Sequence, residues 1–224
     1  MAGIPWMLAG CSGPLSTLDP AGPSAVTAAW LWWGMFAFSS VVLIMVPGLW
    51  IYAMRRDGGH ESDEQAQRIQ NRWLIGGGLI LPFGAMAVLL FFGIPAGHSM
   101  LPLPPTDGDA VRIDVHAHQW WWQVSYPGTD IELQSEVHIP AGTPVDIHLT
   151  SEDVIHSFWV PRLGGKVDAI PGHENVLRLH ASEPGTYHGQ CAEFCGRGHA
   201  HMGFTVIAHE PDAFETWREE QGDE

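Results

Sequence analysis

The sequence predicts a membrane-anchored all-β protein. A two-helix transmembrane hairpin over residues 25–100 is followed by an external β-sandwich or barrel over residues 101–224. Three observations predict it. Two long stretches, Pro20 to Met54 and Trp73 to Thr106, contain no Asp, Glu, Lys or Arg. Beyond Leu101, short runs alternate apolar and polar residues between Gly and Pro punctuation, the pattern of half-buried strands. Charge is also segregated, with the basic residues of the N-terminal half gathered in one loop.

The elements follow in order. Residues 1–24 form a leader. Its Leu8-Ala9-Gly10-Cys11 resembles a bacterial lipoprotein signal, in which the Cys is acylated after cleavage; the alternative is an uncleaved leader with an incidental Cys. Ala25 to Met54 is long enough for the roughly 20 apolar residues a bilayer core requires. Trp30, Trp32 and Trp33 at one end and Trp50 and Tyr52 at the other fit interfacial belts. Pro47 is expected to kink this helix. The second span runs from about Trp73 to Ile94, and a neighbouring helix makes its Pro82 tolerable. Two buried core helices are the competing reading, and such long uncharged runs disfavour it. The loop between the spans, Arg55 to Arg72, holds four Arg, whereas residues 1–24 hold no Lys or Arg. Lys and Arg favour the cytoplasmic side, so the loop is expected inside and both termini outside. After Leu101-Pro-Leu-Pro-Pro105, strands are expected around Val111–Val115, Val145–Thr150, Val176–Leu179 and Gly203–Ile207, and a last helix from near Pro211 toward Glu220.

Composition narrows the function. Charged residues make up 16% of the chain, below the roughly 25% of an ordinary soluble domain, in keeping with membrane spans. The formal net charge of −15 argues against nucleic acid as a partner, since phosphate binding requires a basic face. Residues 101–224 alone carry 6 Lys+Arg against 20 Asp+Glu, a net of −14. A field of that sign attracts a basic soluble partner, or serves solubility alone. Three Cys are too few for a disulfide framework, and 13 His point toward metal or proton chemistry.

The chemistry is concentrated in Cys191-Ala-Glu193-Phe-Cys195-Gly-Arg-Gly-His199-Ala-His201-Met202, with a second candidate His at His156 in Val154-Ile-His-Ser-Phe-Trp-Val-Pro161. Thiolate, imidazole and thioether together form a copper set. Hard ions require oxygen ligands, and structural zinc takes a closed Cys/His set without Met. A mononuclear blue-copper site uses one Cys. A second thiolate four residues on lets both sulfurs bridge two copper ions, each with a terminal His. Sharing one electron across both ions spreads the charge change, which favours fast transfer. A Cys191–Cys195 disulfide and a Cys-x-x-x-Cys copper chaperone are the alternatives. The first leaves His199 and Met202 without a role.

This segment resembles subunit II of the haem-copper cytochrome c oxidases, with its binuclear CuA centre, and the resemblance covers nearly the whole chain. His118-Gln-Trp-Trp-Trp122, Ser151-Glu-Asp-Val-Ile-His-Ser157 and Lys166-Val-Asp-Ala-Ile-Pro-Gly172 are similar to further stretches of that family. The resemblance implies a cupredoxin-like Greek-key β-sandwich in which Cys191 and Cys195 bridge the coppers. His156 and Met202 complete one copper, and His199 and the backbone carbonyl of Glu193 the other. It further implies that the Glu193 side chain ligates Mg²⁺ at the interface with subunit I, and that Trp120 receives electrons from cytochrome c. Glu152 and Asp153, with outer acids such as Asp130 and Glu132, would supply the docking patch. His201 is expected outside the ligand set, and His138 and His148 at the surface.

The implied function is electron transfer in a respiratory terminal oxidase, a proton-translocating oxidoreductase of the bacterial inner membrane. Electrons would pass from cytochrome c through the periplasmic CuA domain to haem in subunit I, where oxygen is reduced. The alternative is the CuA subunit of a haem-copper nitric oxide reductase. A quinol oxidase subunit has lost the copper ligands, and a chaperone would typically use a thioredoxin-like domain. Two departures from the family stand out. Gln70 occupies the place where many members carry an acid before the Trp that opens the second helix, so no proton-uptake residue is assigned. The sequence also has no C-x-x-C-H haem motif, so the donor is expected to be a separate protein.

Overall fold

The computed structural model describes residues 10–56, 62–103 and 110–222. Leu8 and Ala9 of the lipoprotein-like signal, Glu61, and Pro104-Pro105 of the linker lie outside the described residues. The chain divides into two compact units. One comprises residues 30–99, and the other joins the N-terminal segment through Ala29 to everything from Met100 onward.

Among the described residues, the helical unit takes in three α-helices, the first of them from Trp30 onward. α1 (Pro23–Arg55) runs unbroken through Pro47. α2 (Asp63–Ile75) starts about ten residues before the expected second span, inside the stretch read as a loop. A capping box explains the early start. The Ser62 hydroxyl accepts from the Gln65 N–H, and the Gln65 side chain accepts from the Ser62 N–H. α2 continues through a π-turn, Gly76–Ile80, into α3 (Leu81–Ser99). The widened turn lies directly before Pro82, whose ring removes a donor from the ladder. Both long helical stretches, Pro23–Arg55 and Asp63–Ser99, are long and apolar enough to cross a bilayer, and their apolar windows are not buried.

The second unit is a sandwich of two five-stranded sheets. One has the strand order β3 (Glu132–Gln134), β2 (Trp121–Ser125), β1 (Val111–His118), β5 (Val145–Ser151), β8 (Asn175–Leu179). The other runs β4 (Glu136–Pro140), β10 (Gly203–His209), β9 (Gly185–Cys191), β6 (His156–Trp159), β7 (Lys166–Ala169). β1 lies parallel to β5 and β4 parallel to β10, and the other pairs are antiparallel. The alternation read from the sequence sets the faces. Ile113, Val115 and Ala117 of β1 and Val145, Ile147 and Leu149 of β5 all point into the core. Trp122, Phe158 and Phe204 interlock there, with ring centroids 4.1 to 5.4 Å apart. α4 (Pro211–Gly222) packs against β4 and β10 through buried Phe214 and half-buried Trp217.

The N-terminal segment is tied to this sandwich. The Ala21 N–H donates to the Arg162 carbonyl, and the Ser182 N–H donates to the Ala21 carbonyl. Arg162 in turn bonds the backbone and the carboxylate of Asp19.

Candidate metal centre

The site sits where three neighbouring strands end. β9 finishes at Cys191, β10 begins one residue after Met202, and β6 begins at His156. Antiparallel pairing sets Gly203 opposite Gln190 and Phe158 opposite Cys191, so the ends converge. Residues 192–202 must then close over a short gap. The Cys191 N–H bonds the Met202 carbonyl at 2.9 Å, and the Ala192 N–H bonds the Ser157 carbonyl at 2.9 Å. A 3₁₀ turn over His199–His201 brings Met202 back beneath the loop.

The donor atoms face one another. The two Cys sulfurs are 3.8 Å apart, nearly twice a disulfide bond length, and both thiols are free. His156 Nδ1 lies 3.9 Å from Cys191 Sγ, and His199 Nδ1 lies 3.6 Å from Cys195 Sγ. Met202 Sδ is 3.7 Å from Cys195 Sγ, and the Cys191 thiol donates to the Glu193 carbonyl at 3.2 Å. The nearest ligand atoms of His156, Cys191 and Cys195 lie within 4.8 Å of one another, and His199 is not in that group. Each imidazole therefore attends a different sulfur. A metal–thiolate bond is about 2.3 Å, so one ion can touch both sulfurs at this separation. His156, Cys191, Cys195 and Met202 are buried, His199 is half-buried, and the Glu193 side chain points to solvent. Burial, and then the neighbouring Cys191, push the Cys195 thiol up to about 12. A cation beside the Cys195 sulfur would favour its thiolate form.

Asp153 orients His156, a role the sequence reading missed. Its carboxylate accepts from His156 Nε2 at 2.8 Å, the Val154 N–H at 2.6 Å and the Gln119 N–H at 2.6 Å. Burial works to raise its pKa, but these hydrogen bonds outweigh burial and hold it below the usual carboxylate range. A proton on Nε2 leaves Nδ1 free as a ligand, the arrangement that carboxylates impose on metal-bound histidines. The readable signal was the Asp-x-x-His spacing, which the docking-patch reading absorbed.

Trp120 is 40% exposed, and its indole N–H donates to the Cys195 carbonyl at 3.2 Å. The Gln119 side chain donates to the same carbonyl at 2.7 Å. Of the other two tryptophans in the run, Trp122 is core and Trp121 stacks on His118. Glu152, Asp130 and Glu132 are exposed, as is His201. The surface reading of His138 is corrected: the side chain is buried, only 6% exposed, under α4. Its strand position alternates as a surface residue, but the outer face of that sheet edge is covered.

The fold and site have relatives. Residues 111–209 match the family model for the periplasmic domain of cytochrome c oxidase subunit II. The chain is 34% identical to cytochrome c oxidase subunit 2 of Alkalihalophilus pseudofirmus, over 95% of this chain and 64% of that protein. It is 30% identical to ubiquinol oxidase subunit 2 of Acetobacter aceti, over 95% of this chain and 71% of that one. The sandwich resembles the crystal structure of the periplasmic domain of subunit II of cytochrome oxidase from Bradyrhizobium japonicum. That match has a TM-score of 0.50 at 30% identity and covers 54% of this chain and 97% of that one. The β-domain is thus cupredoxin-like, as expected. With the convergent Cys, His and Met donors at its strand ends, the chain belongs to the cytochrome c oxidase subunit II family.

Proposed function

We propose that this chain is the electron-transfer subunit of a respiratory terminal oxidase, accepting electrons from cytochrome c and passing them to haem in subunit I, where oxygen is reduced. The observation that carries the reading is the pairing of two buried thiols 3.8 Å apart with a separate imidazole on each. A single four-coordinate zinc would draw both imidazoles to one point. The donor set fits two coppers: Cys191 and Cys195 would be shared by both ions, His156 and Met202 would serve one, and His199 and the Glu193 carbonyl would serve the other. When bound, such a pair supplies a one-electron carrier whose charge is spread over two ions.

The chain's own residues do the rest. Asp153 fixes the His156 tautomer, and the buried loop base excludes water from the sulfurs. Trp120 offers an exposed ring hydrogen-bonded to the Cys195 backbone, a direct link from surface to ligand. The outward Glu193 carboxylate suits Mg²⁺ at the contact with subunit I. The two apolar helices anchor the chain twice in a bacterial inner membrane, the Arg-bearing loop inside and the metal domain on the periplasmic side. One of the relatives is a ubiquinol oxidase subunit; the complete ligand set here favours copper and a protein donor.

The test is copper loading of the full chain in detergent, followed by metal analysis, visible absorption and EPR. The expected result is two coppers per chain, a purple colour and hyperfine structure from one electron shared equally by two nuclei. One blue or colourless copper per chain would overturn the proposal.

A further inference from the structure

Outside the metal centre, two histidines meet in a way the proposed function does not use. His138 on β4 and His209 on β10 are diagonal neighbours on the outer face of their parallel strand pair. His138 Nδ1 lies 2.7 Å from His209 Nε2, and the rings stack at 4.9 Å. The other nitrogen of His138 bonds Glu136 at 2.8 Å. Trp217 of α4 lies flat on His138, with centroids 4.0 Å apart and planes within 2°, and it also stacks on His209 at 5.9 Å. Tyr126 closes the other side: its hydroxyl donates to the His138 carbonyl and accepts from the His138 N–H.

A 2.7 Å contact between two ring nitrogens is a hydrogen bond, and it holds one proton. With the pair neutral, His138 donates Nε2–H to Glu136 and accepts at Nδ1 from His209. Adding one proton is accommodated, because His138 then donates from both nitrogens, to Glu136 and to His209. Adding a second sets two N–H groups head to head and two cations in stacked rings, which the geometry cannot hold. The remaining charged or titratable groups on the surrounding elements are Glu210 after β10, His188 on the neighbouring β9, and Asp212, Glu215, Arg218, Glu219 and Glu220 on α4; Glu215 and Arg218 bond each other.

We propose that the His138–His209 pair is a proton-operated latch on the C-terminal helix: α4 stays docked while the pair carries at most one added proton and is released when it carries two. The direction follows from linkage. Burial first, and then the neighbouring His138, lower the pKa of His209 in the docked state. A released His209 titrates near the ordinary value of about 6.5. A depressed docked-state pKa means that docking is at full strength above about 6.5 and weakens as pH falls below it. The acidic C-terminal helix would thus loosen when the compartment it faces becomes acidic.

The experiment is hydrogen exchange by mass spectrometry on the copper-loaded full chain in detergent, from about pH 7.5 to pH 5, corrected for intrinsic exchange. Protection of the α4 amides is expected to hold above pH 6.5 and then to fall by up to about tenfold per pH unit, the slope for one linked proton. His209→Gln keeps an N–H donor at the ε position and cannot ionise, so it should keep α4 docked and flatten the profile. Flat protection in the unmodified chain, or a slope that survives H209Q, would overturn the latch. If H209Q frees α4 at every pH, the ring-nitrogen NMR titration of the unmodified chain decides. A shared-proton step followed by a depressed second step supports the pair, and two independent steps near 6.5 overturn it.

Discussion

At the scale of single residues, the proposed metal centre would separate ligands that build it from a ligand that tunes it and a carboxylate that aims one of them. Cys195→Ser leaves a single thiolate, which cannot hold two ions between two sulfurs. The expected outcome is loss of the shared-electron EPR signal, and an unchanged spectrum would contradict the bridging assignment. Met202 is buried, and its thioether meets Cys195 Sγ at 3.7 Å. Met202→Leu nearly conserves volume, at a cost below about 1.5 kcal/mol. If Met202 is the weak thioether ligand proposed, the variant should therefore retain both coppers while shifting the reduction potential. Electrochemistry alongside metal analysis checks both halves. Asp153→Ala removes the acceptor of three donors, His156 Nε2 among them. Loss of such an orienting carboxylate typically weakens metal binding by about 10- to 100-fold. A chelator competition titration should show that drop, and unchanged affinity would mean that packing alone holds the His156 ring.

At the scale of elements, the loop over residues 192–202 works because two glycines let the Trp120 corner approach. A Cβ on Gly198 would lie 2.4 Å from the Trp120 ring, and one on Gly196 3.0 Å from the Gln119 side chain, at a backbone φ of +117° that favours glycine. Gly198→Ala should push Trp120 off the Cys195 carbonyl while leaving the ligands in place. The expected result is a full copper complement with slower electron transfer from cytochrome c, read by stopped-flow. Equal rates would remove Trp120 from the path. How far these elements are readable from sequence follows from where their contacts lie. The β1, β5, β8 and β10 alternation was legible because each strand has one wet and one dry face. β6 was not, because His156, Ser157 and Phe158 are all buried and show no alternation. β9 escaped because Gly185 and Gly189 interrupt it. The proposed copper loop could be read as a candidate because its potential donors crowd into twelve residues. The Asp-x-x-His spacing of Asp153 was in view but was read as part of the docking patch, whereas Gln119 was not legible, because it acts across 34 and 76 residues of sequence that only the fold brings together. His138 misled for the same reason, its cover coming from a helix at the other end of the domain.

At the scale of the whole molecule, charge and chemistry are arranged on the same domain. Residues 101–224 carry a net −14, and the described outer acids Asp130, Glu132 and Glu152 are exposed. The exposed side chains of Val154, Ile155 and Phe194 belong to the segments that carry the proposed metal ligands, and the half-exposed Trp120 ring reaches one of them through its hydrogen bond to the Cys195 carbonyl. On the proposed function, long-range attraction would bring a basic donor to the domain, and short-range apolar contact would seat it. These two contributions respond differently to salt. The Debye length falls from about 30 Å at 0.01 M to about 8 Å at 0.15 M, so steering is screened while apolar contact is not. Electrostatic steering raises association rates by roughly 10- to 1000-fold. The second-order rate of reduction by a basic cytochrome c should therefore fall by about tenfold or more across that salt range, with the intracomplex electron-transfer rate unchanged. An acidic cytochrome c should react slowly at low salt and gain as salt is raised. Neutralising Asp130, Glu132 and Glu152 one at a time, as D130N, E132Q and E152Q, should reduce the salt slope most at the residue nearest the donor, while Trp120→Ala should slow the intracomplex step and leave the slope alone. If the rate with the basic donor is independent of salt, the acidity of this domain serves solubility rather than docking.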